Sequence, residues 1–412
     1  MGFIDNLKKL FTSDSRKEYS HIKMLNGSLP VFSQFGDNIY ASDVVQNCID
    51  VIASECSKLR PKHIRTGSNE VQTVVRGSLN RLFKFSPNEL MTTRDFIEKL
   101  IWLLYMNLNA FVYPTYDLVT SNGVTRKEYT GLYPLNPTRV EFLQDSTDTM
   151  FVKFTFASGL QSTVPYSDVI HLRKKFSVND IMGGGMNGQP DNAAILKVLQ
   201  INDSVLQGIE KSIKTSLTIK GIIKINTMLD TESQKEERKK FEESIRNSES
   251  GIVPMDLKSE YQDINMDPKI VDKDTLEFLD NKILKYFGVS IPILTGDFND
   301  EQYQAFYERT LEPIIISLGQ AFSKTLFTPG ELDHGNEIIF YQRDLAYLSA
   351  KSKLELIKTA GEQGLLSDNQ KLMILGYGPR AGGERITQSL NFINRDIIDQ
   401  YQLKNAEKME KG

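Results

Sequence analysis

The sequence predicts an α+β protein, and three observations carry that expectation. Residues 42–60 and 93–109 space apolar side chains at helical intervals: Val44, Val45, Cys48, Ile49 and Ile52, then Phe96, Leu100, Leu103 and Leu104. From Ala110 the pattern changes to short β-rich runs punctuated by Asn122-Gly123 and Ser158-Gly159. From Asp191 a long helical period opens that no strand pattern interrupts until residue 221.

A chain of 412 residues exceeds one ordinary core and falls short of three independent ones, so two or three consolidated regions are expected. With 40% hydrophobic and 25% charged residues it can bury a real core. The net charge of −4 gives no global basic signal, which argues against a protein that holds nucleic acid by neutralising phosphates but leaves a DNA conduit open. Cys48 and Cys56 lie eight positions apart in one expected helix, too distant for a disulfide, so reduced thiols are expected. The first residues lack an apolar run long enough for a signal peptide or membrane span. Phe3, Ile4, Leu7, Leu10 and Phe11 predict a short amphipathic helix there, better suited to docking on protein than on lipid.

The two core helices are followed by strand-like runs at 111–114, 130–135, 150–156 and 169–172, which predict an antiparallel sheet packed on them. Asp191 then opens a helix whose stripe of Ile195, Val198, Leu199, Val205, Leu206, Ile209, Ile213 and Leu217 runs to about residue 217. At 1.5 Å per residue it is a strut of roughly 40 Å. A strand at 221–225 leads to Thr231-Glu232-Ser233-Gln234, a capping box opening a helix to about residue 247. That helix is almost entirely charged, so it projects into solvent or meets a partner. Strand-like runs at 251–254 and 260–264 close this αβ insertion. A second amphipathic helix, 272–287, carries Leu276, Leu279, Ile283 and Phe287 and stops at Gly288. The loop 289–300 holds Pro292, Gly296, Asp297 and Asp300 and precedes a helix from about 301 to 327, in which Pro313 predicts a kink. A strand at 338–341 and a helical region from about 345 complete the chain.

Gly183-Gly184-Gly185-Met186-Asn187-Gly188 matches G-x-G-x-x-G, yet the preceding strand ends ten residues too early for a dinucleotide turn and Pro190 intervenes. A hinge before the long helix is the preferred reading; a nucleotide-using transferase exploiting residues 183–188 is the alternative. His21, His63, His171 and His334 lack metal-ligand spacing, and no G-x-S-x-G elbow is present, so no cofactor, metal or catalytic residue is expected. Trp102 is expected to pack in its helix rather than stack on a base.

Five stretches, in order and with matching spacing, resemble the tailed-bacteriophage portal protein family. They are Tyr133-Pro134-Leu135-Asn136-Pro137 with Val140; Pro165-Tyr166-Ser167-Asp168-Val169-Ile170-His171; Phe287-Gly288-Val289-Ser290-Ile291-Pro292; Thr310-Leu311-Glu312-Pro313; and Arg343-Asp344 followed by Gly364-Leu365-Leu366-Ser367-Asp368-Asn369. The similarity spans roughly residues 30–390. Where many relatives have a Gly-x-Ser-Pro turn, this chain has Gly188-Gln189-Pro190-Asp191.

The resemblance implies a non-enzymatic subunit of a ring, typically dodecameric, at the portal vertex of a virion, assembled in the host cytoplasm, through which double-stranded DNA is packaged and ejected. It implies a wing (1–190, with 305–345), stem helices (191–217 and 272–288), an αβ clip (218–271), a tunnel loop (289–304) and a helical crown with C-terminal tail (346–412). Asp297, Asn299, Asp300 and Glu301 would face the channel. Glu236, Lys239, Glu243 and Arg246 would form the clip docking surface. Leu206, Ile209, Ile213, Leu279 and Ile283 would pack between subunits. Implied partners are further copies of the chain, the DNA, the terminase large subunit, a head–tail adaptor and the major capsid protein or scaffold, with no membrane. Two stripes lacking full cover suit a closed head-to-tail ring.

Overall fold

Ser42 starts the first helix, α1 (Asp43–Ser57), by accepting a hydrogen bond from the Val45 amide, and Val45, Cys48, Ile49 and Ile52 are all buried. The structure, a computed structural model, describes residues 19–22, 31–32, 42–67, 72–121, 123–176, 179–184, 193–218, 221–225, 231–247, 259–263, 273–341, 350–375, 377–378 and 380–386. The amphipathic stretch at residues 3–11, the strand-like run at 251–254 and most of the glycine run lie outside them. The chain divides into two units, Met1–Ala194 with Ile283–Gly412, and Ile195–Lys282.

In the first unit two short strands, β1 (Ser20–His21) and β2 (Val31–Phe32), precede α1. Then come β3 (Arg60–Thr66), β4 (Gln72–Val74), α2 (Ser78–Lys84) and α3 (Thr93–Asn107). A reciprocal capping box between Thr92 and Asp95 starts α3, which buries Phe96, Leu100 and Leu104 as the periodicity requires, while Trp102 is half-buried.

β5 (Asn109–Ser121) and β6 (Val124–Leu135) form one long hairpin, turned at Gly123 with φ of 76°, with a register shift between Thr115 and Tyr116. The expected runs at 111–114 and 130–135 are only its buried ends; Arg126, Lys127 and Glu128 mask the strand pattern of outer β6, while Tyr116 to Ser121, with Asp117 its one charge, continues β5. β7 (Arg139–Gln144), β8 (Met150–Thr155) and β9 (Gln161–Pro165) form an antiparallel sheet, with β1 and β2 both pairing with β7. β10 (Ile170–Arg173) returns to pair with β5. The core between them contains Phe32, Phe111, Val140, Phe142, Val152 and Phe154, with Phe111 meeting Phe154 edge-on at 5.2 Å.

The second unit begins within α4 (Ala193–Thr218), 26 residues and about 39 Å long. β11 (Gly221–Ile225) pairs antiparallel with β12 (Ser259–Asp263), and α5 (Thr231–Asn247) lies between them in sequence. α6 (Lys273–Phe287) returns the chain to the first unit.

There a short helix, α7 (Ile291–Thr295), is followed by α8 (Asp300–Phe306), a π-helical turn (Tyr307–Leu311) and α9 (Glu312–Leu326). The helix expected at 301–327 is continuous from Asp300 to Leu326, and its irregularity is a π-helical turn just before Pro313 rather than a simple proline kink. Pro313 sits in the first turn of α9, and the carbonyl its ring would strike, four residues back at Arg309, lies in that widened turn. Phe322 of α9 is fully buried against Phe83, Phe96 and Phe340, at 6.2, 6.3 and 5.2 Å.

α10 (Pro329–Asp333) leads into β13 (Asn336–Tyr341), which pairs with β3 and so closes a β13–β3–β4 sheet between distant parts of the chain. α11 (Ala350–Glu362) and α12 (Asp368–Ile374) follow. The buried Asn369 holds the turn beyond α12, accepting from the Arg380 amide at 2.7 Å and donating to the Arg380 carbonyl at 3.1 Å.

Candidate functional site

The stripe on α4 is incompletely covered. Ile195 is buried, Val198, Leu199, Val205 and Ile209 are half-buried, and Leu206 and Ile213 are 51% and 45% exposed. Leu206 and Ile213 are seven residues apart, two helical turns along one face. On α6, by contrast, Leu279 and Ile283 are 5% and 0% exposed, already covered within the chain, while Phe278 is exposed with the Lys282 ammonium over its ring. The five residues expected to pack together between subunits thus fall into two classes.

In the described part of α5, Glu236, Lys239 and Glu243 are exposed; the Arg246 side chain lies outside the described ones. The helix presents charge where its side chains are described, as the sequence requires.

The 289–304 segment is more ordered than a simple loop. Gly288 and Gly296, with φ of 75° and 80°, bracket α7, and Thr310 donates from its hydroxyl to the Gly288 carbonyl at 2.7 Å. Asn299 caps α8, accepting from the Gln302 amide at 2.8 Å while Gln302 accepts from the Asn299 amide at 3.0 Å. Asp297 is exposed and is not the cap; Asp300 accepts from Ser352 at 2.8 Å, and Glu301 is exposed.

The glycine run does not form a phosphate cradle where it is described. A Cβ on Gly183 would strike the Lys174 and Leu108 carbonyl oxygens, so glycine there serves close backbone packing. Its amide donates to Asn109 Oδ1 at 2.8 Å, and its carbonyl accepts from Asn109 Nδ2 at 2.8 Å. Asn109 Oδ1 also faces His171 Nε2 at 3.0 Å, which makes that nitrogen the donor, and His171 Nδ1 accepts from the Tyr166 hydroxyl at 2.9 Å. Burial, then Arg173 and Lys324, push the His171 pKa well below the usual histidine range. Sequence reasoning missed this junction because Asn109 and Gly183 are 74 positions apart.

Beside it Lys174 lies over the Tyr105 ring at 4.1 Å, and Lys175 lies over the Tyr286 ring at 3.3 Å. Burial lowers the Lys174 pKa to about 8 and raises that of Cys56 to about 12. Cys56 and Cys48 are both buried, unoxidised thiols, and the shift keeps Cys56 unreactive. Among the described residues no group of acidic, histidine or cysteine side chains could hold a metal ion, and no helix is long and apolar enough to cross a membrane.

A closed α+β body and a strut helix whose apolar stripe stays half open are the features of an assembly subunit. The family model described as phage portal protein matches residues 43–376. Two curated relatives, each a probable portal protein, from Lactococcus phages p2 and SK1, are 22% identical over 373 residues, covering 86% of this chain and 85% of theirs. Among solved structures, a chain from the neck of an empty gene transfer agent particle, computed with C6 symmetry, aligns with a TM-score of 0.58 at 18% identity, covering 83% of this chain and 92% of that one. A chain from the neck of the native particle, computed with C12 symmetry, aligns at 0.55 and 17% identity, with the same coverage. The chain belongs to the phage portal protein family, and its fold is the portal fold.

Proposed function

We propose that copies of this chain close into a ring at one vertex of a virion capsid, and that double-stranded DNA is packaged and ejected through the ring's channel. The observation that carries this is the stripe on α4: Leu206 and Ile213, seven residues apart on one face of the helix, are about half exposed. Ring closure by a head-to-tail contact gives such a stripe its cover. The solved gene transfer agent necks were computed with sixfold and twelvefold symmetry, which supports the reading for this chain. The subunit acts structurally rather than as an enzyme, and its ring number is twelve.

In this proposal residues 1–190 with 305–345 form the wing, 191–217 and 272–288 the stem, 218–271 the clip, 289–304 the tunnel loop and 346–412 the crown and tail. The charged surface of α5, Glu236, Lys239, Glu243 and Arg246, docks the terminase large subunit during packaging and the head–tail adaptor afterwards. Asp297, Asn299, Asp300 and Glu301 edge the channel, and capsid protein or scaffold contacts the outer ring. Reversing the charges of Glu236, Glu243 and Arg246 should leave rings intact while weakening motor docking in a pull-down with the terminase. Normal docking by those rings would remove α5 from the proposal.

A further inference from the structure

A groove of about 1010 Å³ opens on the first unit between the β5–β6 hairpin, the chain following β4 and the α9–α10 connection. Nothing in the ring proposal assigns it a role. Arg65, Arg126 and Lys324 line it, are exposed, and make no ion pair with a described residue. The two carboxylates on its wall are engaged: Asp168 accepts from Lys127 at 2.8 Å, and Glu331 accepts from the Thr328 amide at 2.9 Å as part of the α10 cap. Four cations, Arg65, Arg126, Lys127 and Lys324, line the groove against two carboxylates, Asp168 and Glu331, so its net charge is positive.

The walls are not uniformly basic. Leu118, 67% exposed on the hairpin, Val75 and Phe327 interrupt the cations with apolar surface. β6, whose Thr125, Arg126 and Lys127 line the groove, also ends its sheet in the order β10–β5–β6, with no further described strand on its outer edge. Such an edge offers main-chain groups to an added extended segment.

We infer that this groove binds an extended acidic segment of another protein, in which carboxylates alternate with apolar side chains. Arg65, Arg126 and Lys324 would take the carboxylates, and Leu118 with Val75 the apolar positions. A polyphosphate backbone fits less well: its charge repeats without apolar positions between, so it offers nothing to Leu118 or Val75. A segment with a two-residue period places its charges on one face and its apolar groups on the other.

The test uses the full-length protein in its assembled state and follows the fluorescence anisotropy of a short labelled peptide of alternating glutamate and valine. Its lysine–valine counterpart and a short DNA duplex are the controls. The acidic peptide should bind, the basic one should not, and raised salt should weaken binding. The double variant Arg126→Glu, Lys324→Glu should weaken binding by roughly tenfold or more with unchanged melting temperature and unchanged assembly. Leu118→Asp, on the exposed hairpin, should weaken it independently. Equal binding by wild type and both variants would overturn the inference, as would duplex binding in place of the peptide. Loss of assembly in the double variant would also overturn it, by giving the groove to a neighbouring copy.

Discussion

At the scale of single residues, Asn109 does the most with one side chain. It satisfies both backbone groups of Gly183 and orients His171, whose ring stacks on Phe111 at 4.3 Å. Asn109→Ala leaves buried groups unpaired and should cost about 1–3 kcal/mol, measurable by denaturant unfolding. Because burial holds the folded His171 pKa below its unfolded value of 6.5, the unfolded chain binds more protons in acid. Stability from this group is complete above about pH 6.5 and falls as pH drops towards the folded pKa, by at most about 1.4 kcal/mol per pH unit. His63, also lowered chiefly by burial, adds in the same direction. His171→Gln should flatten the acid limb of a stability–pH curve; an unchanged curve would mean that the ring is not titrating on unfolding. Asn299→Ala should cost about 1 kcal/mol through loss of the α8 cap, whereas Asp297→Ala should cost less, since Asp297 caps nothing. The sequence flagged the His171 stretch by resemblance but not its partner, because side-chain bonds across 62 positions leave no local pattern.

At the scale of elements, helices and their buried faces were largely legible. Ile49, Phe96 and Ile283 sit where a 3.6-residue period puts them, since core-facing residues must repeat with the helix. Three things were not legible. β3 reads Arg60-Pro61-Lys62-His63-Ile64-Arg65-Thr66, too charged to show alternation, and it becomes a strand because β13 and β4 pair on both sides. The π-helical turn has no compositional mark beyond Pro313 following it. Among the stripe residues, the period could not separate Leu279 and Ile283, covered by their own chain, from Leu206 and Ile213, left open, because a stripe does not say which chain covers it. Ile283→Ala should therefore destabilise the subunit by about 2–5 kcal/mol, read from its melting curve. Leu206→Asp should leave the melting curve of the isolated subunit nearly unchanged and abolish assembly in a sedimentation experiment.

At the scale of the whole molecule, the portal reading joins a mildly acidic chain to a DNA conduit. A channel that releases DNA at every step gains from few phosphate contacts, because each neutralised phosphate strengthens binding and makes it steeply salt-dependent. In the proposed twelve-subunit ring with Asp297 at the channel edge, Asp297→Lys would shift the channel charge by roughly two dozen. Its rings should form normally but stall packaging at low ionic strength and recover partly as salt rises; superimposable rate–salt curves would move Asp297 away from the DNA path. All of this rests on ring formation through the α4 stripe. Negative-stain imaging of the purified wild-type protein beside Leu206→Asp and Ile213→Asp tests it most directly. The wild type should form rings with a central hole and both variants folded, unassembled subunits; wild-type monomers, or rings that survive both substitutions, would overturn ring formation through α4.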